Sequence, residues 1–174
     1  MVIKPYQGKD PRVGEDVFIA PGAVVIGDVR IGDESSVWYN TVIRGDVGKI
    51  RIGKKTNVQD LCMLHTTAGR SDLLIGNEVT IGHQVVLHGC VIEDHCMIGM
   101  GAVIMDGAVI GRGSIVAAGA VVLENTIIPP GSMVAGLPAK VRSTMEGKER
   151  FPASKTAERY RRHAEEHAKL YKKE

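Results

Sequence analysis

Three of the six histidines in this 174-residue chain, His65, His83 and His88, have the company that metal chemistry needs. Acids at Asp46 and Asp60 and a cation at Arg44 lie in the same stretch of sequence. Imidazole nitrogen is the commonest protein ligand for a metal ion. Zinc takes such nitrogens at about 2.0–2.1 Å, so the side chains must converge closely. The other histidines read differently. His163 and His167 have the i,i+4 spacing of one helix face, but no glutamate directly follows His163 as in a zinc-protease helix. That pair is expected on a solvated helix face, and His95 is expected as an exposed residue without a partner. Whether the first three meet depends on the backbone that carries them.

That backbone is written in a repeat. An aliphatic residue recurs every six positions: Val13, Ile19, Val25, Ile31, Val37 and Ile43, then Ile52, Val58 and Leu64, then Ile75, Ile81 and Leu87. The series closes with Ile92, Ile98, Ile104, Ile110, Val116, Val122, Ile128 and Val134. A small or β-branched residue follows four positions later, as at Ala23, Thr41, Cys62, Val85, Cys96 and Ala102. Glycine often follows the aliphatic residue directly, which suggests that it eases the turn. A period of six suits neither a helix nor a flat sheet. It suits a solenoid with one short strand and one corner per hexapeptide, three hexapeptides closing a triangular coil. Cys62 and Cys96 then serve as small core residues.

Two steps break the count, and both adjoin the candidate residues. Ile43 to Ile52 is nine residues, and Leu64 to Ile75 is eleven, with the extra length at 45–51 and 66–74. Such insertions are expected as loops, where binding tends to occur. Leu87 to Ile92 is a third irregularity, of five. Counting hexapeptides puts Ile43, Leu64 and Leu87 on one side of the prism, so Arg44, His65 and His88 should stack about 4.8 Å apart. Asp60 and His83 should stack on another side. Five extended residues span up to about 16 Å, so His83 belongs too far round the prism to join His65 and His88 within one chain. A threefold trimer would bring His83 of one chain to the other two histidines of its neighbour.

The rest of the sequence narrows the alternatives. Valine and isoleucine together number 37 against 8 leucines, which favours strands. A formal net charge of +2, with both signs spread along the chain, argues against a nucleic-acid binder. No apolar run approaches the roughly 18 residues of a membrane span. Three cysteines without a C-x-x-C pair, and no apolar secretory core after Met1, point to a reduced, cytoplasmic setting. The solenoid is expected over 1–140, leaving through a turn at 136–140. A linker with Gly147 and Pro152 should follow, then a helix capped by Ser154 or Thr156 with Ala157, Tyr160, Ala164, Ala168 and Tyr171 on its apolar stripe.

On these residues the chain resembles the γ-class carbonic anhydrases and their hexapeptide-repeat relatives. The segments that carry the resemblance are Arg44-Gly45-Asp46, Asn57-Val58-Gln59-Asp60, Leu64-His65, Gly82-His83 and His88-Gly89-Cys90. It implies an all-β fold, a left-handed parallel β-helix with a C-terminal α-helix, assembled as a homotrimer. It implies metal sites at the subunit interfaces, with His65, His83 and His88 as ligands to Zn2+, although Fe2+ or Co2+ also suit imidazole. The implied reaction is reversible hydration of CO2 to bicarbonate by metal-bound hydroxide. Gln59 would orient the reacting water, Arg44, Asp46 and Asp60 would form an ion-pair network that orients bicarbonate, and Tyr160 would approach from the helix. One departure matters. The best-known γ enzymes carry relay glutamates where this chain has Val47 and the loop Thr66-Thr67-Ala68-Gly69-Arg70, so slow turnover is expected. Two alternatives stand beside this reading. One is acyl transfer or CoA-thioester hydrolysis, since Val134 to Lys140 matches the end segment of hexapeptide acyltransferases. The other is a non-catalytic trimeric metal-binding scaffold.

Overall fold

The computed structural model describes residues 1–144 and 152–171. The chain winds into a left-handed parallel β-helix as far as the strand Ser132–Gly136, an antiparallel strand to residue 144 closes it, and one α-helix, Ala153–Lys169, follows. The three sides take up the six-residue series in order. Val13, Ile31, Ile52, Ile75, Ile92, Ile110 and Ile128 stack in register on the first side. Ile19, Val37, Val58, Ile81, Ile98, Val116 and Val134 do so on the second. Ile3, Val25, Ile43, Leu64, Leu87, Ile104 and Val122 do so on the third. Apart from Ile3 and Val13 at the open first coil, these side chains are buried in one aliphatic core. Each contributes about 1.5–3 kcal/mol by leaving water, which is what holds the coils together.

The small-residue positions lie inside the corners. Ala23, Thr41, Cys62, Val85, Cys96 and Ala102 are all buried. Burial pushes the thiols of Cys62, Cys90 and Cys96 up to about 12, so they stay protonated and act as packing. The glycines that follow the core residues do not make the turns. At Gly53 an added Cβ would sit 2.5 Å from the Gly76 backbone of the next coil, so close stacking selects glycine there. The left-handed turn falls two residues later, at Glu34, Lys55 and Glu78.

The two insertions behave differently. Residues 66–72 form the expected loop, a small hairpin closed by a bridge between Thr67 and Ser71, while Leu73 and Leu74, counted with the insertion, already belong to the strand Leu73–Ile75. Residues 45–51 do not form a loop. They lie inside one long strand, Val42–Ile52, that turns the corner from the third side to the first beside Val24–Ile31. The extra length is absorbed as a bulge in which Gly45 to Ile50 faces Gly27 to Val29. Arg51 clamps it, its Nη2 donating to Asp28 Oδ1 at 2.5 Å and its Nη1 to Asp28 O at 2.9 Å.

The exit turn lies where expected, between antiparallel strands Ser132–Gly136 and Ala139–Thr144. Residues 142–144, expected in the linker, are strand, and Gly147 lies outside the described residues. The helix begins after Pro152 with no side-chain cap, and Ser154 and Thr156 lie inside it. It packs on the second side through Ala157 and Ala164, with Tyr160 edge-on to Trp38 at 5.7 Å between centroids. His167 is not on a solvated face. Its ring is 5.0 Å from that of Trp38 and its Nδ1 is 2.9 Å from the Tyr39 hydroxyl. Among the described residues no helix is long and apolar enough to cross a membrane.

Candidate metal centre

His65 and His88 lie opposite each other in adjacent coils of the third side, as direct register partners. Their rings meet with His65 Nδ1 3.1 Å from His88 Nε2. Each ring is held from behind by a carboxylate. Asp46 Oδ1 is 3.0 Å from His65 Nε2, and Asp106 Oδ2 is 2.8 Å from His88 Nδ1. Arg44 donates to Asp46 through Nη1, one coil before His65 on the same side. The bulge at 45–51 therefore has a local purpose, because it turns Asp46 over the corner onto His65.

These contacts fix the electrostatics. Burial opposes ionisation of Asp46, but hydrogen bonds from Arg44 and His65 prevail and hold its carboxyl below the usual range. Asp106 is likewise buried, and hydrogen bonds from His88 and Ser71 hold it low. Two anionic carboxylates each require an N–H from their histidine. With those contacts made, His65 Nδ1 and His88 Nε2 face each other at 3.1 Å, a spacing at which two imidazole nitrogens can share one cation. Histidines that ligate metals are held in this way, with the second nitrogen given to a carboxylate. The donor set thus fits a metal of borderline softness such as zinc.

His83 stands apart on the edge of the second side. Its Nδ1 pairs with Asp60 Oδ2 at 2.7 Å, the stacking expected from the register. Its side chain is 44% exposed, and its Nε2 has no partner among the described residues. Among the described residues of one chain only two nitrogens converge. Among the described residues no group of three or more His, Cys, Asp or Glu could hold a metal. Gln59 is buried and donates from Nε2 to Asn57 Oδ1 at 3.1 Å. Tyr160 is half-buried against Trp38, and its hydroxyl is pushed up by burial, Arg159 acting the other way and Asp60 adding to the rise. So Asp60, Gln59, His83 and Tyr160 cluster about the second side, and Arg44, Asp46, His65 and His88 about the third.

His95 is not free of partners, since its Nδ1 lies 3.6 Å from Glu78 Oε2 at the neighbouring corner. Asp106 escaped the sequence reading. Leu87 pairs with Ile104, so this coil is one residue short, and Asp106 falls two positions after its core residue where His88 falls one after its own. Val47 is exposed beside Asp46 and lines a hollow of about 210 Å3 with Gly48, Thr67 and Arg70. A larger hollow of about 790 Å3, between the helix and the first coil, contains none of the candidate residues.

Comparison with known proteins places this geometry. Residues 10–45 and 89–124 match the family described as bacterial transferase hexapeptide (six repeats). A Methanocaldococcus jannaschii protein named as a probable carbonic anhydrase is 60% identical over 129 residues, covering 74% of this chain and 80% of that one. The chain belongs to the γ-carbonic-anhydrase-like hexapeptide-repeat family. Within that family, the mitochondrial γ carbonic anhydrase 3 of Arabidopsis thaliana is 49% identical over 165 residues, which is 92% of this chain and 64% of its own length. A solved Bacillus cereus structure, provisionally named an acetyltransferase, superposes with a TM-score of 0.92 at 41% identity. It covers 97% of this chain and 98% of its own. Membership of the γ-carbonic-anhydrase-like family makes the chain a carbonic-anhydrase-like lyase.

Proposed function

We propose that the chain catalyses reversible hydration of CO2 to bicarbonate at a metal shared between subunits of a homotrimer. His65 and His88 would come from one chain and His83 from its neighbour. The observation that carries the reading is the pair of facing nitrogens on His65 and His88, each backed by a carboxylate. Two others support the assembly. His83 presents an unpartnered nitrogen outward with Asp60 holding its ring. The outward positions beside His65 and His88 form an apolar ladder, Val24, Val42, Met63, Val86, Val103 and Val121, stacked in register and only partly covered. A continuous apolar face of that kind supports a protein–protein contact there.

When bound, a zinc ion (Fe2+ or Co2+ would also suit imidazole) supplies the Lewis acidity that makes water nucleophilic near neutral pH. The chain's residues do the rest. Asp46, Asp106 and Asp60 fix the ring of one histidine each. Arg44 donates to Asp46 and offers its remaining N–H groups to anionic bicarbonate. Gln59, beside Asp60, orients the water, and Tyr160 brings its hydroxyl from the helix. No carboxylate occupies position 47 or 68 to carry the proton away, so buffer must do so.

Metal analysis of anaerobically purified protein, followed by stopped-flow CO2 hydration, tests the reading. We expect about one metal per chain, as a cyclic trimer has as many interfaces as subunits, with activity lost on chelation. A fully loaded protein inert towards CO2 in concentrated imidazole buffer would contradict the reaction and favour a metal-binding scaffold. Acyl transfer from a CoA thioester, or hydrolysis of one, is the second reading, favoured by the close likeness to the Bacillus cereus structure. Acyl transfer that survives chelation, or thioester hydrolysis at the same metal site that is lost with the metal, would establish it.

A further inference from the structure

The hairpin at 66–72 stands outside the paired strands of the solenoid, yet two of its side chains close on one carboxylate. Ser71 Oγ donates to Asp106 Oδ1 at 2.8 Å, and Thr67 Oγ1 to Asp106 Oδ2 at 3.3 Å. Asp106 is only 6% exposed, and the same Oδ2 takes His88 Nδ1 at 2.8 Å. The space is kept open from the other side. Gly89 directly follows His88, and a Cβ there would fall 2.1 Å from Ser71 Oγ and 2.2 Å from Asp106 Oδ1. A buried carboxylate without such donors would carry a heavy desolvation cost, so the hairpin and the glycine together stabilise Asp106 as an anion beside the histidine.

We infer that Asp106 is a positioning residue for the metal centre, and that the 66–72 hairpin exists to hold it. It acts through His88. By taking the N–H of Nδ1 it presents Nε2 as the free donor and locks the ring towards His65 Nδ1. Loss of such a partner typically weakens metal binding about 10–100-fold. The inference rests on the proposed metal site for its consequence, but the His88–Asp106 contact itself is a feature of the fold.

The test uses the full-length assembled protein and Asp106→Asn, which keeps the shape and removes the charge. Chelator competition with Zn2+ should show affinity reduced about 10–100-fold. The Co2+-substituted protein should show shifted ligand-field bands, which a general loss of stability would not produce. Nitrogen-15 NMR of the metal-free protein should show His88 protonated at Nδ1 in the wild type and redistributed between tautomers in the variant. If Asp106→Asn does not assemble, Ser71→Ala carries the test, because Ser71 touches Asp106 and neither histidine. It should give a smaller loss in the same direction. Unchanged affinity and unchanged Co2+ bands would overturn the inference while leaving the proposed function intact. A wild type that binds no metal at the histidines would sink the proposed function. The His88 tautomer would still decide whether Asp106 positions the ring, and an unaltered tautomer in the variant would overturn the inference in either case.

Discussion

At the scale of single residues, each histidine should be indispensable and the relay position improvable. His65→Ala, His83→Ala and His88→Ala should each abolish tight metal binding, as measured by retention through gel filtration, while the solenoid stays folded. These side chains are outside the aliphatic core and contribute little to it. Val47 lies exposed next to Asp46, where an acid would reach solvent. Val47→Glu should therefore raise kcat in weak buffer more than kcat/KM, because proton export follows bicarbonate formation. General acid–base groups contribute about 10²–10⁴-fold, which sets the ceiling on the gain. A rate indifferent both to imidazole concentration and to Val47→Glu would remove proton export as the limiting step. The histidine pair was legible in the sequence because position in a hexapeptide dictates direction and stacking. Asp106 was not, because the five-residue step after Leu87 shifts the register and hides it among ordinary corner residues.

At the scale of elements, the repeat dictates strands and corners, and tertiary contacts dictate the rest. The bulge at 45–51 could not be told from a loop by counting. What keeps it extended is the Arg51 clamp on Asp28, a contact across coils. Burial opposes ionisation of Asp28, but the hydrogen bond and charge of Arg51 prevail and lower its pKa from the ordinary 3.8. A carboxylate depressed in the folded state stabilises above its unfolded pKa and loses that contribution as pH falls through the folded one. Asp28→Asn should thus cost about 1–2 kcal/mol at pH 7, and the gap to wild type should close below the ordinary carboxylate value. Urea titrations at several pH values would show it, and a gap independent of pH would refute the ionic origin. The helix tells the same story. Its stripe was legible, but its anchorage by Trp38, Tyr39 and His167 depends on residues more than a hundred positions apart. Trp38→Ala should destabilise by about 3–5 kcal/mol and expose the helix to proteolysis first.

At the scale of the whole molecule, the proposed site is divided between subunits, so that no chain holds a complete one. Arg44→Ala should weaken assembly and metal binding together, since Arg44 braces Asp46 on the apolar side that carries His65 and His88. A stable monomer with stoichiometric metal would be incompatible with a shared site. The most direct measurement is metal content in mixed oligomers. His83→Ala and His88→Ala chains should each form metal-free assemblies alone. Refolded together in equal amounts, they should regain metal at about a quarter of the interfaces, those where a chain with intact His88 meets one with intact His83. No recovery in the mixture, from variants that do assemble together, would mean that all three ligands come from one chain.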